Sequence, residues 1–119
     1  MKPIKIKKLS VVLATRNEEV NIARCLNAIK HIADEIIVYD EHSTDRTVEI
    51  AKKLGAKVFS VDHQDNFHIT KQKALNLAKN GWILQLDADE RVTSKLAEEI
   101  KEVLNKNSFQ LYSFIKNYL

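Results

Sequence analysis

With 119 residues, 45% of them apolar and 29% charged, and a single proline, the chain has the composition of one globular domain around one core, neither disordered nor fibrous. No run approaches the ~18 apolar residues that cross a membrane, no apolar core of signal-peptide length follows the N-terminal lysines, and the lone Cys25 excludes an internal disulfide and suits a reducing, cytoplasmic compartment. The net charge of +3 is local: Lys2, Lys5, Lys7 and Lys8 precede the first acid, and the remaining 15 basic against 16 acidic residues leave no footprint for nucleic acid.

Residues 1–8 form a Lys-rich, solvated end whose charge would suit a weak contact with anionic lipid headgroups. Residues 9–14, "LSVVLA", are a short β-branched run and predict a buried strand. Over 18–30, Val20, Ala23, Leu26 and Ile29 recur at helical spacing with Ile22 beside them, and Cys25 falls in that pattern as plain packing. Residues 35–39, "EIIVY", predict a second strand. A second helix follows over 43–54, with Val48, Ala51 and Leu54 on one face, Ser43 or Thr44 as its cap, and Gly55 where a helix end favours a left-handed residue. A third strand over 57–61 leads to a third helix over 68–80, with Ala74, Leu75 and Ala78 inward. A fourth strand over 82–86 leads to a fourth helix over 93–105, with Leu96, Ile100, Val103 and Leu104 apolar. Residues 109–115 alternate as a fifth strand would. Strands alternating with helices predict right-handed crossovers and an α/β fold, a mostly parallel sheet covered on both faces. There is no internal repeat and no linker.

Such sheets bind ligands beyond the carboxyl ends of their strands. The first strand ends in Thr15-Arg16-Asn17-Glu18-Glu19, the second in Asp40-Glu41-His42-Ser43-Thr44-Asp45-Arg46, the third in Asp62-His63-Gln64-Asp65 and the fourth in Asp87-Ala88-Asp89-Glu90. Every strand delivers polar, mostly acidic groups to the same edge, a sorting that scattered surface acids would not show. Crowded carboxylates repel one another and resist desolvation, so they need a cation, a hydrogen-bonding ligand or open solvent. A hard cation such as Mg²⁺ or Mn²⁺ would take carboxylate oxygens from Asp87-x-Asp89 and keep positions open for phosphate, neutralising charge on a diphosphate leaving group. The plainer alternative is that Asp87 and Glu90 close the turn and Asp89 is solvated. With only Gly55 and Gly81, no glycine-rich phosphate loop can be written, which excludes a dinucleotide-binding Rossmann enzyme and a P-loop NTPase.

The segments "LSVVLATRNEEVNIARCLNAI", "ADEIIVYDEHSTDRTVEIAKKLGAKV" and "GWILQLDADERVTSKLAEEI" resemble family 2 glycosyltransferases, with the nearest similarity to bacterial lipopolysaccharide-core and lipid-linked sugar transferases of the cell envelope. The resemblance covers roughly residues 9–115, and its motifs occur in the family's order and spacing. It implies the GT-A fold and inverting transfer of a sugar from a nucleotide donor, with Mg²⁺ or Mn²⁺ as the usual cofactor. It implies that Thr15, Arg16, Asn17 and Glu18 wrap the nucleoside, with Glu18 at the ribose or base. Asp40 would meet a uracil-type base, Lys71 the diphosphate, Asp87 the ribose and Asp89 the metal. A UDP-sugar is the donor it favours, and a glycan or lipid-linked hydroxyl the acceptor. For Ser43, Thr44 and Thr47 of "STDRT", helix capping and a buried network are preferred to ligand contact. The chain departs from the family where Glu41 and His42 stand in place of small residues or glycine, and where Gln72 stands in place of asparagine.

The family's acceptor-binding half and catalytic base follow the D-x-D, and only 30 residues follow Asp89 here, so residues 9–119 are expected to form the donor half alone. No catalytic base is assigned. Peripheral attachment at the inner face of a membrane would follow from a lipid acceptor, and a homodimer from an apolar face left where further chain would pack. Three rivals are weaker on the residues. A haloacid-dehalogenase-type phosphatase wants Thr or Val two residues after the second Asp, where Arg91 stands. A phospho-receiver domain wants an acidic pair after the first strand, where Thr15-Arg16-Asn17 stands. A binding-only remnant of the glycosyltransferase fold is the alternative that the short C-terminal part favours.

Overall fold

The computed structural model describes residues 8–62 and 81–106. The predicted helix over 68–80, the alternating segment over 109–115, and Lys71 lie outside the described residues. Four strands form one parallel sheet: β1 (Leu9–Thr15), β2 (Glu35–Asp40), β3 (Lys57–Ser60) and β4 (Trp82–Leu86). Among the described residues three helices accompany them, α1 (Ile22–Ile29), α2 (Thr47–Lys53) and α3 (Ser94–Lys106).

The sheet order is β3-β2-β1-β4. β1 is central, and all seven of its residues are buried, which is why its sequence is a continuous apolar run rather than an alternating one. Leu13 stands abreast of Val38 and Leu86, and Thr15 abreast of Asp40, so the four strands end along one edge. The chain steps from β1 to β2 to β3 in one direction and returns to the far side of β1 for β4. The loops after β1 and β4 therefore leave a topological switch point, the position where open α/β sheets hold ligands.

Side chains alternate along a strand, so Leu9, Val11 and Leu13 share a face with Ile36, Val38, Leu84 and Leu86. That face packs against Ile22, Cys25, Leu26 and Ile29 of α1, Ala51 of α2, and Leu96, Ala97, Ile100 and Leu104 of α3 in one core. The other face carries a smaller cluster, Val12 and Ile37 with Tyr39 and Ile83 packed against them. Among the described residues, then, all three helices contribute to one core on one face.

The local chemistry explains most of the boundaries. Gly55 has φ 91°, its N–H donates to the Lys52 carbonyl at 3.1 Å, and the Ala56 N–H donates to the Ala51 carbonyl at 3.1 Å. This is the paired C-terminal closure that a left-handed glycine permits. Thr93 accepts the Leu96 N–H on Oγ1 at 3.1 Å and so caps α3. α1 starts four residues later than its periodicity predicts. Residues 18–21 form a turn instead, in which the Asn21 and Ile22 N–H groups both donate to the Glu18 carbonyl at 3.0 and 2.8 Å. Val20 consequently leaves the apolar stripe and stands 83% exposed.

Leu26 is fully buried beneath β1. Leu26→Ala is expected to lower stability by about 2–5 kcal/mol through lost transfer energy and a residual cavity, whereas Val20→Ala should stay within about 0.5 kcal/mol. Urea unfolding midpoints of the two variants test that contrast.

Candidate functional site

The site begins with a buried carboxylate. Asp40 ends β2 with no exposed surface. Its Oδ1 accepts the Thr15 hydroxyl at 2.6 Å and the Ser43 hydroxyl at 2.7 Å, and its Oδ2 accepts the Ser43 N–H at 2.8 Å. Burying a carboxylate is costly unless hydrogen bonds replace its water, and three do so here. The Thr15 side chain is equally enclosed. Both residues are expected at the nucleoside; in the structure the Thr15 hydroxyl meets Asp40, and the Asp40 carboxylate meets both Thr15 and Ser43 at the start of the next loop.

From this point the loop after β1 is laced to the loop after β2. The Asn17 N–H donates to Ser43 Oγ at 2.8 Å, and the Glu18 N–H donates to Thr47 Oγ1 at 2.8 Å. The Ser43 hydroxyl passes its own hydrogen to Asp40, and the Thr47 hydroxyl passes its own to Asp45. In the reverse direction Asn17 Oδ1 accepts the Thr44 N–H at 2.7 Å, and the Glu19 carboxylate accepts the Arg46 N–H at 3.1 Å. Asp45 adds one more link by accepting the Glu19 N–H at 3.2 Å. The "STDRT" residues thus form a network, as the sequence suggested, but neither Ser43 nor Thr44 caps α2. The helix begins at Thr47, whose N–H is accepted by Asp45 at 2.9 Å.

Two residues of these loops have left-handed backbones, Asn17 at φ 52° and His42 at φ 49°. Asparagine tolerates that conformation well. At His42, where the sequence departs from a small residue or glycine, the backbone turns in a way that suits glycine, so histidine stands there against that preference. His42 also meets Asp62 beyond β3, Nε2 to Oδ1 at 3.0 Å, with both side chains exposed.

The loop after β4 is a tight turn. The Glu90 N–H donates to the Asp87 carbonyl at 2.9 Å, and the Glu90 carboxylate accepts the Asp87 N–H at 2.7 Å. Ala88 is buried in the main core, Asp87 is half-buried and Asp89 is exposed. The plain role expected for Glu90 is therefore realised, and it frees Asp89 to face outward. Arg91 crosses to the loop after β1, donating to Asn21 Oδ1 at 3.0 Å. Cys25 lies beneath, its thiol 3.7 Å from the Asp87 carbonyl. Burial pushes that thiol up to about 11, with Glu90, Asp89 and Asp87 adding to the shift and Arg91 opposing it. Cys25 is therefore a packed, protonated thiol and not a nucleophile at neutral pH.

Strand pairing brings together the ends that carry Thr15, Arg16, Asn17 and Glu18, Asp40, and Asp87 and Asp89. Arg16, Asn17 and Asp89 are exposed there, and Glu18 and Asp87 are half-buried. Sequence reasoning missed Glu19, Asn21, Asp45 and Arg91. A faint signal existed for the acids and Asn21: two clusters of capping-type residues, each directly after a strand. Among the described residues no three His, Cys, Asp or Glu side chains gather as a metal cage. Mg²⁺ or Mn²⁺ bound with phosphates needs only one or two carboxylates and keeps its remaining positions for water and phosphate oxygen. The hard oxygens of exposed Asp89, with Asp87 two residues before it, fit that requirement.

A parallel sheet whose polar strand ends flank a switch point is the frame of an α/β ligand-binding domain, and the comparisons specify which. Residues 10–116 match the family described as "Glycosyl transferase family 2". An uncharacterized glycosyltransferase of Rickettsia typhi is 42% identical over 107 residues, which cover 90% of this chain and 36% of that protein. Staphylococcus aureus TarS superimposes with a TM-score of 0.72 at 25% identity, over 83% of this chain and 32% of that one. Glucosyl-3-phosphoglycerate synthase from Mycobacterium tuberculosis, solved in complex with Mn²⁺, UDP and glucosyl-3-phosphoglycerate, superimposes with a TM-score of 0.62 at 26% identity, over 71% of this chain and 36% of that one. The chain belongs to glycosyl transferase family 2 and has the GT-A fold. It spans little more than a third of the length of these curated Rickettsia relatives. No helix among the described residues is long and apolar enough to cross a membrane.

Partial desolvation raises the Asp45 carboxyl, but hydrogen bonds from Thr47 and the Glu19 N–H outweigh it and hold the group below the usual carboxylate range. A carboxyl lowered on folding contributes stability that is fully present above its unfolded value and lost as pH falls through the folded one. The gap in urea midpoint between the native chain and Asp45→Asn should therefore be wide at pH 6 and narrow as pH drops below about 3.8, the ordinary value for the group.

Proposed function

We propose that this chain is the donor-binding part of an inverting glycosyltransferase that takes a UDP-linked sugar with the help of Mg²⁺ or Mn²⁺. The observation that carries this is the outward-facing Asp89 on a closed turn at the switch point, beside the laced loops after β1 and β2. The presence of Mn²⁺ and UDP together in the mycobacterial synthase supports the metal and the nucleotide.

In this proposal Arg16, Asn17 and Glu18 border the nucleoside, and Thr15 and Asp40 hold that border in shape from beneath. Asp87 approaches the ribose, and Lys71 is assigned to the diphosphate by resemblance. Asp89 would hold the metal, which when bound supplies Lewis-acid neutralisation of the departing nucleoside diphosphate. Transfer would proceed by attack of an acceptor hydroxyl on the anomeric carbon with inversion. A general base contributes about 10²–10⁴-fold to such a step, and none of the described residues is assigned that role. Donor binding is therefore proposed for this chain, and transfer to a glycan or lipid-linked acceptor of the cell envelope for the whole-length protein. A lipid acceptor would put that protein at the inner face of a membrane, by peripheral contact.

Calorimetric titration of UDP with Mn²⁺ should show binding that weakens at least ten-fold with chelator. Asp89→Ala should bind alike in both conditions. Metal-independent binding by the native chain, or an unchanged metal response in Asp89→Ala, would remove Asp89 from the metal site.

A further inference from the structure

We infer that Arg91 is a positioning residue that fixes the Asp87–Glu90 turn, and so aims Asp89, by clamping that turn to the start of α1. The inference rests on the donor-site proposal for what Asp89 holds, but its structural part stands alone.

The guanidinium makes three hydrogen bonds in different directions. One terminal nitrogen donates to the Ala88 carbonyl at 2.8 Å and the Glu90 carbonyl at 3.0 Å. The other donates to Asn21 Oδ1 at 3.0 Å, across 70 positions of sequence. The two carbonyls flank Asp89, so the backbone on both sides of the exposed acid is held by one side chain. Asn21 directly precedes α1, and α1 is seated in the core through Ile22, Cys25, Leu26 and Ile29. Ala88 is buried in the same core. The turn is thus pinned at three places: its buried alanine, the Glu90 carboxylate on the Asp87 N–H, and Arg91.

A carboxylate that must meet a cation loses less freedom on binding when its backbone is already fixed. Arg91 also brings positive charge to a segment holding three acids, Asp87, Asp89 and Glu90, and so offsets their mutual repulsion. Charge alone would be served by lysine. Reaching two carbonyls and an amide oxygen at once needs the planar fork of arginine. The two contributions can therefore be separated by substitution.

Two measurements test this on Arg91→Met and Arg91→Lys. The first is amide hydrogen exchange without ligand. The Glu90 N–H, which donates to the Asp87 carbonyl, should exchange at least ten-fold faster in Arg91→Met, beyond any acceleration at Leu26 in α1, and Arg91→Lys should resemble Arg91→Met. Unchanged exchange at Glu90, or equal acceleration at Glu90 and Leu26, overturns the clamp; exchange in Arg91→Lys like that of the native chain assigns the effect to charge and overturns the fork. The second is UDP affinity with Mn²⁺ and with chelator. Arg91→Met should lose about ten-fold of the affinity gained from Mn²⁺, keep its affinity in chelator within two-fold, and cause no further loss in an Asp89→Ala background. Equal losses with and without metal, or a further loss in that background, overturn the claim that Arg91 acts through Asp89. If the native chain shows no Mn²⁺-dependent binding, the donor-site proposal fails, and exchange at Glu90 alone decides whether Arg91 clamps the turn.

Discussion

The Asp40 carboxylate is the constraint from which the rest of the edge follows. It sits at the end of a buried strand, abreast of Thr15 on the next strand, and no solvent reaches it. Removing one partner of a buried carboxylate costs more than the partner's own hydrogen bond, because the remaining group stays unsolvated. That penalty ties three things together: the last residue of β1, the last residue of β2, and Ser43 in the loop beyond. Once Ser43 is fixed, its hydroxyl is ready to accept the Asn17 N–H, and the remaining loop bonds follow outward from there.

The edge is therefore graded. The enclosed layer is made by Thr15, Asp40 and Thr47, the next by half-buried Ser43, and the outermost by the exposed side chains of Arg16, Asn17 and Asp89. Each layer gives the one above it a fixed backbone. The proposed diphosphate ligand would benefit from such a surface, since preorganised polar groups need no rearrangement to meet charge. On the β4 side the same logic uses different residues: Ala88 in the core, Glu90 closing the turn, and Asn21 joined to Arg91. The three neighbouring acids of "DADE" are tolerated because each has a different place, Asp87 half-buried at the strand end, Asp89 in solvent and Glu90 folded back on the backbone.

What the sequence disclosed was whatever has a local or periodic cause. The continuous apolar run of β1, the left-handed Gly55 and the inward face of α3 each follow from neighbours within a few residues. The parallel order and the gathering of strand ends followed from alternation of strand and helix. The late start of α1 was not legible, because Val20 fits the helical period and is overruled by amide bonds from the loop after β1 to residues 26 to 29 positions away. The cap of α2 was misplaced for the same reason: Ser43 and Thr44 are good capping residues, drawn instead to Asp40 and Asn17. Thr15 and Asp40 resemble ligand contacts in sequence because polar residues at strand ends often are. The structure adds that both are buried and hydrogen-bonded to each other. His42 was visible as a departure from the family pattern, and its left-handed backbone is one that glycine adopts most readily.

The most direct test of this hierarchy is amide hydrogen exchange on Asp40→Asn, which keeps the side chain's size but replaces one acceptor oxygen with a donor. If Asp40 organises the edge, the N–H groups of Asn17, Glu18 and Thr44 should all exchange faster, together with Ser43, while those of Val11 and Val38 in the sheet stay protected. Acceleration confined to Ser43 would mean that the loops hold each other without the buried carboxylate, and would contradict the account.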